Sequence, residues 1–101
     1  MTFTEDVHPE AAVKKWRLWA SKLARSLYGA RWSKKPHLYW VVSIEFQKRG
    51  VLHLHGLIVG VRDARRLTWM DEWEGLDYKT GYARIYPVED NLKASRYVSK
   101  Y

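Results

Sequence analysis

Val51-Leu52-His53-Leu54-His55-Gly56-Leu57-Ile58-Val59-Gly60 decides how this chain is read. The run is apolar and rich in leucine and β-branched residues, which suits a strand. Side chains alternate faces along a strand, so residues two apart point the same way. His53 and His55 therefore project together from one face, while Leu52 and Leu54 cover the other. Two imidazoles so placed can be offered to a single metal ion.

The residues upstream supply a partner strand and a third ligand candidate. Leu38 to Gln47 reads as a strand, Lys48-Arg49-Gly50 as a turn, and Val51 to Val61 as the returning strand. If the loop has three residues, with Gly50 in the left-handed bulge position, Gln47 pairs with Val51. Counting back, Glu45 then faces His53, and cross-strand partners share a face of the sheet. A four-residue loop would instead set Glu45 among Leu52 and Leu54, where an unpaired carboxylate is costly. Glu45, His53 and His55 with open positions suit Mg²⁺ or Mn²⁺, acting as a Lewis acid on a phosphoryl group. The plainer alternative leaves one histidine bonded to a neighbour and the other half exposed. An aligned Glu45 favours the metal.

Outward from the hairpin, Phe3-Thr4-Glu5 alternates weakly as a first strand. Pro9 can open a helix whose Val13, Trp16, Trp19, Ala20, Leu23 and Leu27 share a face up to Gly29. Asp63 is a plausible N-cap for a short helix through Arg66, Met70 and Trp73. Tyr82 to Val88 resembles a fourth strand, interrupted by Pro87, and Glu89-Asp90 starts a terminal helix. The order β-α-β-β-α-β-α predicts an α+β fold, an antiparallel sheet with helices packed on it in ferredoxin-like or RRM-like fashion.

Composition bounds the partners. A chain of 101 residues is one domain with a single core. The absence of cysteine excludes a disulfide scaffold and a thiolate zinc site, and fits a reducing cytoplasm. No apolar run approaches the roughly 20 residues of a membrane span, and no secretory signal opens the chain. Eighteen Lys and Arg against 11 Asp and Glu give a net charge of +7, which suggests a polyanionic partner. Aromatic residues are interleaved with the cations in Lys14-Lys15-Trp16-Arg17-Leu18-Trp19. Such rings can stack on unpaired bases, although Trp16 and Trp19 also lie on the helix face assigned to the core.

The chain ends Tyr97-Val98-Ser99-Lys100-Tyr101. On a helix, Tyr97, Lys100 and Tyr101 share a face. A phenol titrates near 10, so an attacking tyrosine needs cations or a polarised phosphate beside it. Lys100, one turn from Tyr97, can orient a phosphate and balance the charge that develops. Tyr97 is the candidate nucleophile and Tyr101 a possible second one, with core or surface packing as the duller alternative for each.

Taken together, Met1-Thr2-Phe3-Thr4, Glu45 with His53-Leu54-His55, and Tyr97-Val98-Ser99-Lys100 resemble the motifs of the HUH endonucleases. Within them the chain is most similar to the rolling-circle replication initiators (Rep proteins) of plasmids, phages and single-stranded DNA viruses. Histidines precede the tyrosine, as in initiators, whereas relaxases have the reverse order. The resemblance implies metal-dependent nicking and joining of single-stranded DNA through a 5′-phosphotyrosine, to start rolling-circle replication. It implies a metal held by Glu45, His53 and His55, a nucleophilic Tyr97, and DNA contacts from Lys48, Arg49 and Arg96.

Similar initiators run on past the position of Tyr101, so the chain is read as a nuclease domain from a longer protein, monomeric in isolation. It has no Gly-rich nucleotide-phosphate loop, so no nucleotide cofactor is expected. The expected location is the cytoplasm of a bacterium or archaeon, or of a host cell if viral. Three alternatives stay open: an HUH transposase, a non-catalytic RRM-like nucleic-acid binder, and a metal-dependent phosphodiesterase that uses water.

Overall fold

The computed structural model describes residues 1–4, 7–29, 38–46, 51–77 and 79–86. Within them lie helix α1 (Pro9–Tyr28), strands β1 (Tyr39–Phe46) and β2 (Leu52–Val59), and helix α2 (Arg66–Glu74). The expected terminal helix from Glu89 lies outside the described residues. No helix among the described residues is long and apolar enough to cross a membrane.

Helix α1 begins where Pro9 fixes φ and gives up an N–H that the first turn cannot use. His8 caps it: its Nδ1 accepts the Glu10 N–H at 3.2 Å. The buried stripe is Ala12, Trp16, Trp19, Ala20, Leu23 and Ala24. It follows the 3.6-residue period and confirms Trp16 and Trp19 as core. Gly29 ends the helix at φ 83°, where its N–H returns to the Arg25 carbonyl.

β1 and β2 form an antiparallel pair in the register Phe46↔Leu52, Glu45↔His53 and Ser43↔His55. This is the register that a three-residue connection requires. The turn itself, Lys48-Arg49-Gly50, lies outside the described residues. Leu52 and Leu54 are 1% exposed and face α1. Gly56, next on that face, lies under Trp16: a Cβ there would stand 2.5 Å from the ring. α1 can therefore rest on the β2 backbone because position 56 has no side chain.

The N-terminal segment extends the layer by long-range pairing rather than as a regular strand. Leu54 N–H donates to the Met1 carbonyl at 3.0 Å, and Thr2 bridges His53. On its other side Phe3 bridges Thr80, Gly81 N–H donates to Thr2 O, and Thr2 N–H donates to Tyr82 O. The order across the layer is β1, β2, residues 1–4, residues 79–82, as the expected α+β fold requires. The fourth segment pairs earlier than expected, through 79–82, and residues 82–86 form no strand. Asp77 stands just before the paired segment and is hydrogen-bonded to it. Its Oδ1 accepts the Lys79 N–H at 2.8 Å, and the resulting turn carries Thr80 to Phe3.

α2 also starts later than expected. Asp63 is not its N-cap; that position is Arg65, with no side-chain cap. Arg62 adopts φ 50° and Ala64 N–H closes a turn on Val61 O, which delays the helix. α2 contributes Trp73, fully buried, edge-on to Phe3 at 5.5 Å, with Nε1–H donating to Thr2 O. The Trp19 Nε1–H likewise donates to Trp69 O at 2.8 Å, tying α1 to α2.

Gly56→Ala should destabilise the fold by about 1–3 kcal/mol through overpacking, read by urea unfolding. Gly56→Ala should cost less in a chain already carrying Trp16→Leu, a change that is itself destabilising. An equal cost in both backgrounds would mean that the ring contact is not the cause. The Asp77 carboxyl is held below its ordinary range, first by the Lys15 hydrogen bond and then by the Lys79 N–H. Its stabilising contribution is complete above about pH 4 and is lost as pH falls through the lowered value. Asp77→Asn should flatten the acid limb of stability against pH, measured by thermal melts.

Candidate metal and phosphate site

Alternation along β1 and β2 puts Ser43, Glu45, His53 and His55 on the face away from α1. The imidazole rings of His53 and His55 lie 4.5 Å apart at 42°. Glu45 Oε2 meets His55 Nε2 at 2.5 Å, joining the strands across that face. His55 is the more covered partner, at 20% side-chain exposure against 54% for Glu45.

Burial lowers the pKa of His53, helped by the nearby Met1 ammonium and by His55; Glu45 acts in the opposite direction. The Met1 amine donates to Leu54 O at 3.0 Å, and burial brings its own pKa from 8.0 to about 6. Burial thus disfavours the charged form of both groups. Ser43, paired with His55 in the register, has a buried Oγ with no hydrogen-bond partner. Thr2, paired with His53, donates its Oγ–H to Tyr82 O at 2.7 Å. Gly81 admits that hydroxyl, since a Cβ there would stand 2.5 Å from it.

Of the residues singled out in the sequence, Glu45, His53 and His55 are thus brought to one face. Their side chains are not already set around an ion: among the described residues no three His, Cys, Asp or Glu form such a group. The Glu45 carboxylate is instead committed to His55. What the register provides is one carboxylate and two imidazoles on a common face, from adjacent strand positions. Lys48, Arg49, Arg96, Tyr97, Lys100 and Tyr101 lie outside the described residues. Sequence reasoning missed Ser43, which stepping two residues back from Glu45 would have found. Thr2 is read within Met1-Thr2-Phe3-Thr4, but its pairing with His53 depends on a contact across fifty residues.

Neither the curated proteins nor the solved structures gave a significant match to this chain. A family model does, over residues 1–101: that of the replication-associated protein ORF2. With a match across its whole length, the chain belongs to this replication-associated protein family, a family of replication initiators.

Proposed function

We propose that this domain nicks and rejoins single-stranded DNA to initiate rolling-circle replication, in the manner of the HUH endonucleases. The observation that carries the reading is the register that sets Glu45 opposite His53, with His55 on the same face. In this reading Glu45, His53 and His55 hold Mn²⁺ or Mg²⁺. Holding an ion requires Glu45 to exchange its contact with His55 for a ligand bond. The bound ion supplies Lewis acidity, withdrawing electron density from a phosphoryl oxygen.

The chain's own residues do the rest. The Tyr97 oxygen attacks phosphorus as its phenolic proton passes to solvent. The bond between phosphorus and the 3′ oxygen breaks, and that oxygen takes a proton from solvent, giving a 5′-phosphotyrosine and a free 3′-hydroxyl. Lys100 balances the negative charge on the phenolate and on the transition state. The phosphotyrosine conserves the energy of the cleaved linkage, so the hydroxyl can reverse the step and rejoin the strand. Lys48, Arg49 and Arg96 are assigned to the DNA backbone, and Tyr101 to a possible second transfer. Tyr39, 60% exposed on the same face as Glu45, favours a second reading: stacking of unpaired bases without chemistry.

Labelled single-stranded origin oligonucleotides with Mn²⁺ should yield an SDS-resistant protein–DNA adduct. Tyr97→Phe should abolish it and Tyr101→Phe should retain it. Cleavage without an adduct would indicate hydrolysis by water, and binding without cleavage the stacking reading. Glu45→Gln should weaken Mn²⁺ binding by about tenfold or more, read by calorimetry. Because the His53 pKa is lowered, its coordination should persist below the ordinary imidazole value near 6.5 and fail as pH falls further. A Mn²⁺ affinity unaffected by Glu45→Gln would remove Glu45 from the ligand set.

A further inference from the structure

We infer that the outer face of α1 is a docking surface for the backbone of duplex DNA, separate from the sheet-face site. α1 carries five Lys and Arg against one Glu, a net +4 of the chain's +7. β1 and β2 carry no Lys or Arg. Among the described residues the densest run of basic side chains is therefore on α1.

Lys14, Arg17, Lys22 and Arg25 are all solvent-facing on α1, and no carboxylate pairs with any of them among the described residues. Lys15, on the flank of the helix, bonds Asp77 at 2.7 Å. At 3.6 residues per turn the four unpaired cations fall within an arc of about 140° and span about 16 Å along the axis. They form one ridge, opposite the stripe that packs on β2.

What the ridge lacks selects the partner. The rings interleaved with these cations in sequence, Trp16 and Trp19, are 2% and 1% exposed. Leu18 is the exposed large apolar residue among the cations. Tyr28, on the same helix face beyond Arg25, is half-buried, its hydroxyl donating to Gly60 O and its ring lying under the Arg62 guanidinium. Among the described residues the ridge thus offers phosphates its cations and offers unpaired bases no open stacking platform. That matches a duplex, whose bases are already stacked and whose phosphates face outward. The isolated apolar Leu18 is too little for membrane insertion.

This surface does not depend on the nicking chemistry, and its test is kept apart from it. The chain with Lys14, Arg17, Lys22 and Arg25 all changed to Gln is compared with the unaltered chain, folding being checked by circular dichroism. The ligand is a blunt duplex without single-stranded ends. Affinity should fall by about tenfold or more, and the slope of log K against log salt should shrink by about three to four. Exchanging each Lys for Arg and each Arg for Lys should preserve both, because charge and not identity is at work. Adduct formation on a short single strand, where the unaltered chain shows it, should persist in the Gln variant.

An unchanged duplex slope would overturn the proposal. So would a loss confined to single-stranded DNA, or one confined to anionic vesicles of phosphatidylserine and phosphatidylcholine. If the Gln variant does not fold, the single changes Lys14→Gln and Arg25→Gln, at the two ends of the ridge, each carry the test. Each should reduce the slope by about one, and no reduction by either would overturn the proposal.

Discussion

The contact between the Trp16 ring and the bare backbone at Gly56 governs the arrangement of the rest. A helix laid on a strand pair must bury one of its two faces, and alternation leaves no intermediate choice. Because position 56 has no side chain, the indole ring can lie against β2 there. Leu52 and Leu54, on the same face, are then drawn under α1 and almost completely buried. His53 and His55 are left on the other side as a direct consequence. Had the helix settled on the odd-numbered face, two imidazoles and a carboxylate would have been buried, at a cost of several kcal/mol without compensating bonds. Packing of the core and placement of the polar cluster are thus one constraint seen from two sides.

That constraint is legible in the sequence because both periods are strong. α1 repeats its apolar positions over five turns, and the hairpin alternates around the two histidines. Registering Glu45 with His53 needs only a loop length and the cost of a buried carboxylate. The failures lie where long-range contacts override local signals. Asp63 has the right chemistry for a cap, but the turn closed by Ala64 on Val61 comes first. The fourth segment pairs through 79–82, next to the contacts that Asp77 makes with Lys79 and Thr80, which no alternation pattern could reveal. His8 is a cap by geometry and not by preference, since imidazole is a minor choice at that position. The pairing of Thr2 with His53 spans half the chain, and four residues are too few for a period-two pattern to register.

The polar cluster has its own internal logic. A hydrogen-bonded Glu–His pair closes the cluster without a cation, holding Glu45 and His55 in contact across the strands. Glu45 is more than half exposed, so such a pair stabilises the fold by only about 0–1 kcal/mol. A contact that weak can be exchanged for another partner at little cost. Burial lowers the pKa of the neighbouring His53, which disfavours a fixed cation there. The orphaned Ser43 hydroxyl adds to this: a buried hydroxyl without a partner costs roughly 1–3 kcal/mol, so the arrangement with Glu45 on His55 leaves polar capacity unused.

Charge is distributed in the opposite sense to polarity. The strands carry Glu45 and the imidazoles but no permanent cation, while α1 carries most of the net positive charge. Between exposed charges the field falls off within about 10 Å at moderate salt, so attraction generated on α1 acts chiefly at its own surface. Phosphate contacts at a charged surface position a nucleic acid without reading its sequence, whereas hydrogen bonds to base edges discriminate. Among the described residues the cations of α1 and the polar cluster of the hairpin lie on opposite sides of the layer, so a change in one need not disturb the geometry of the other.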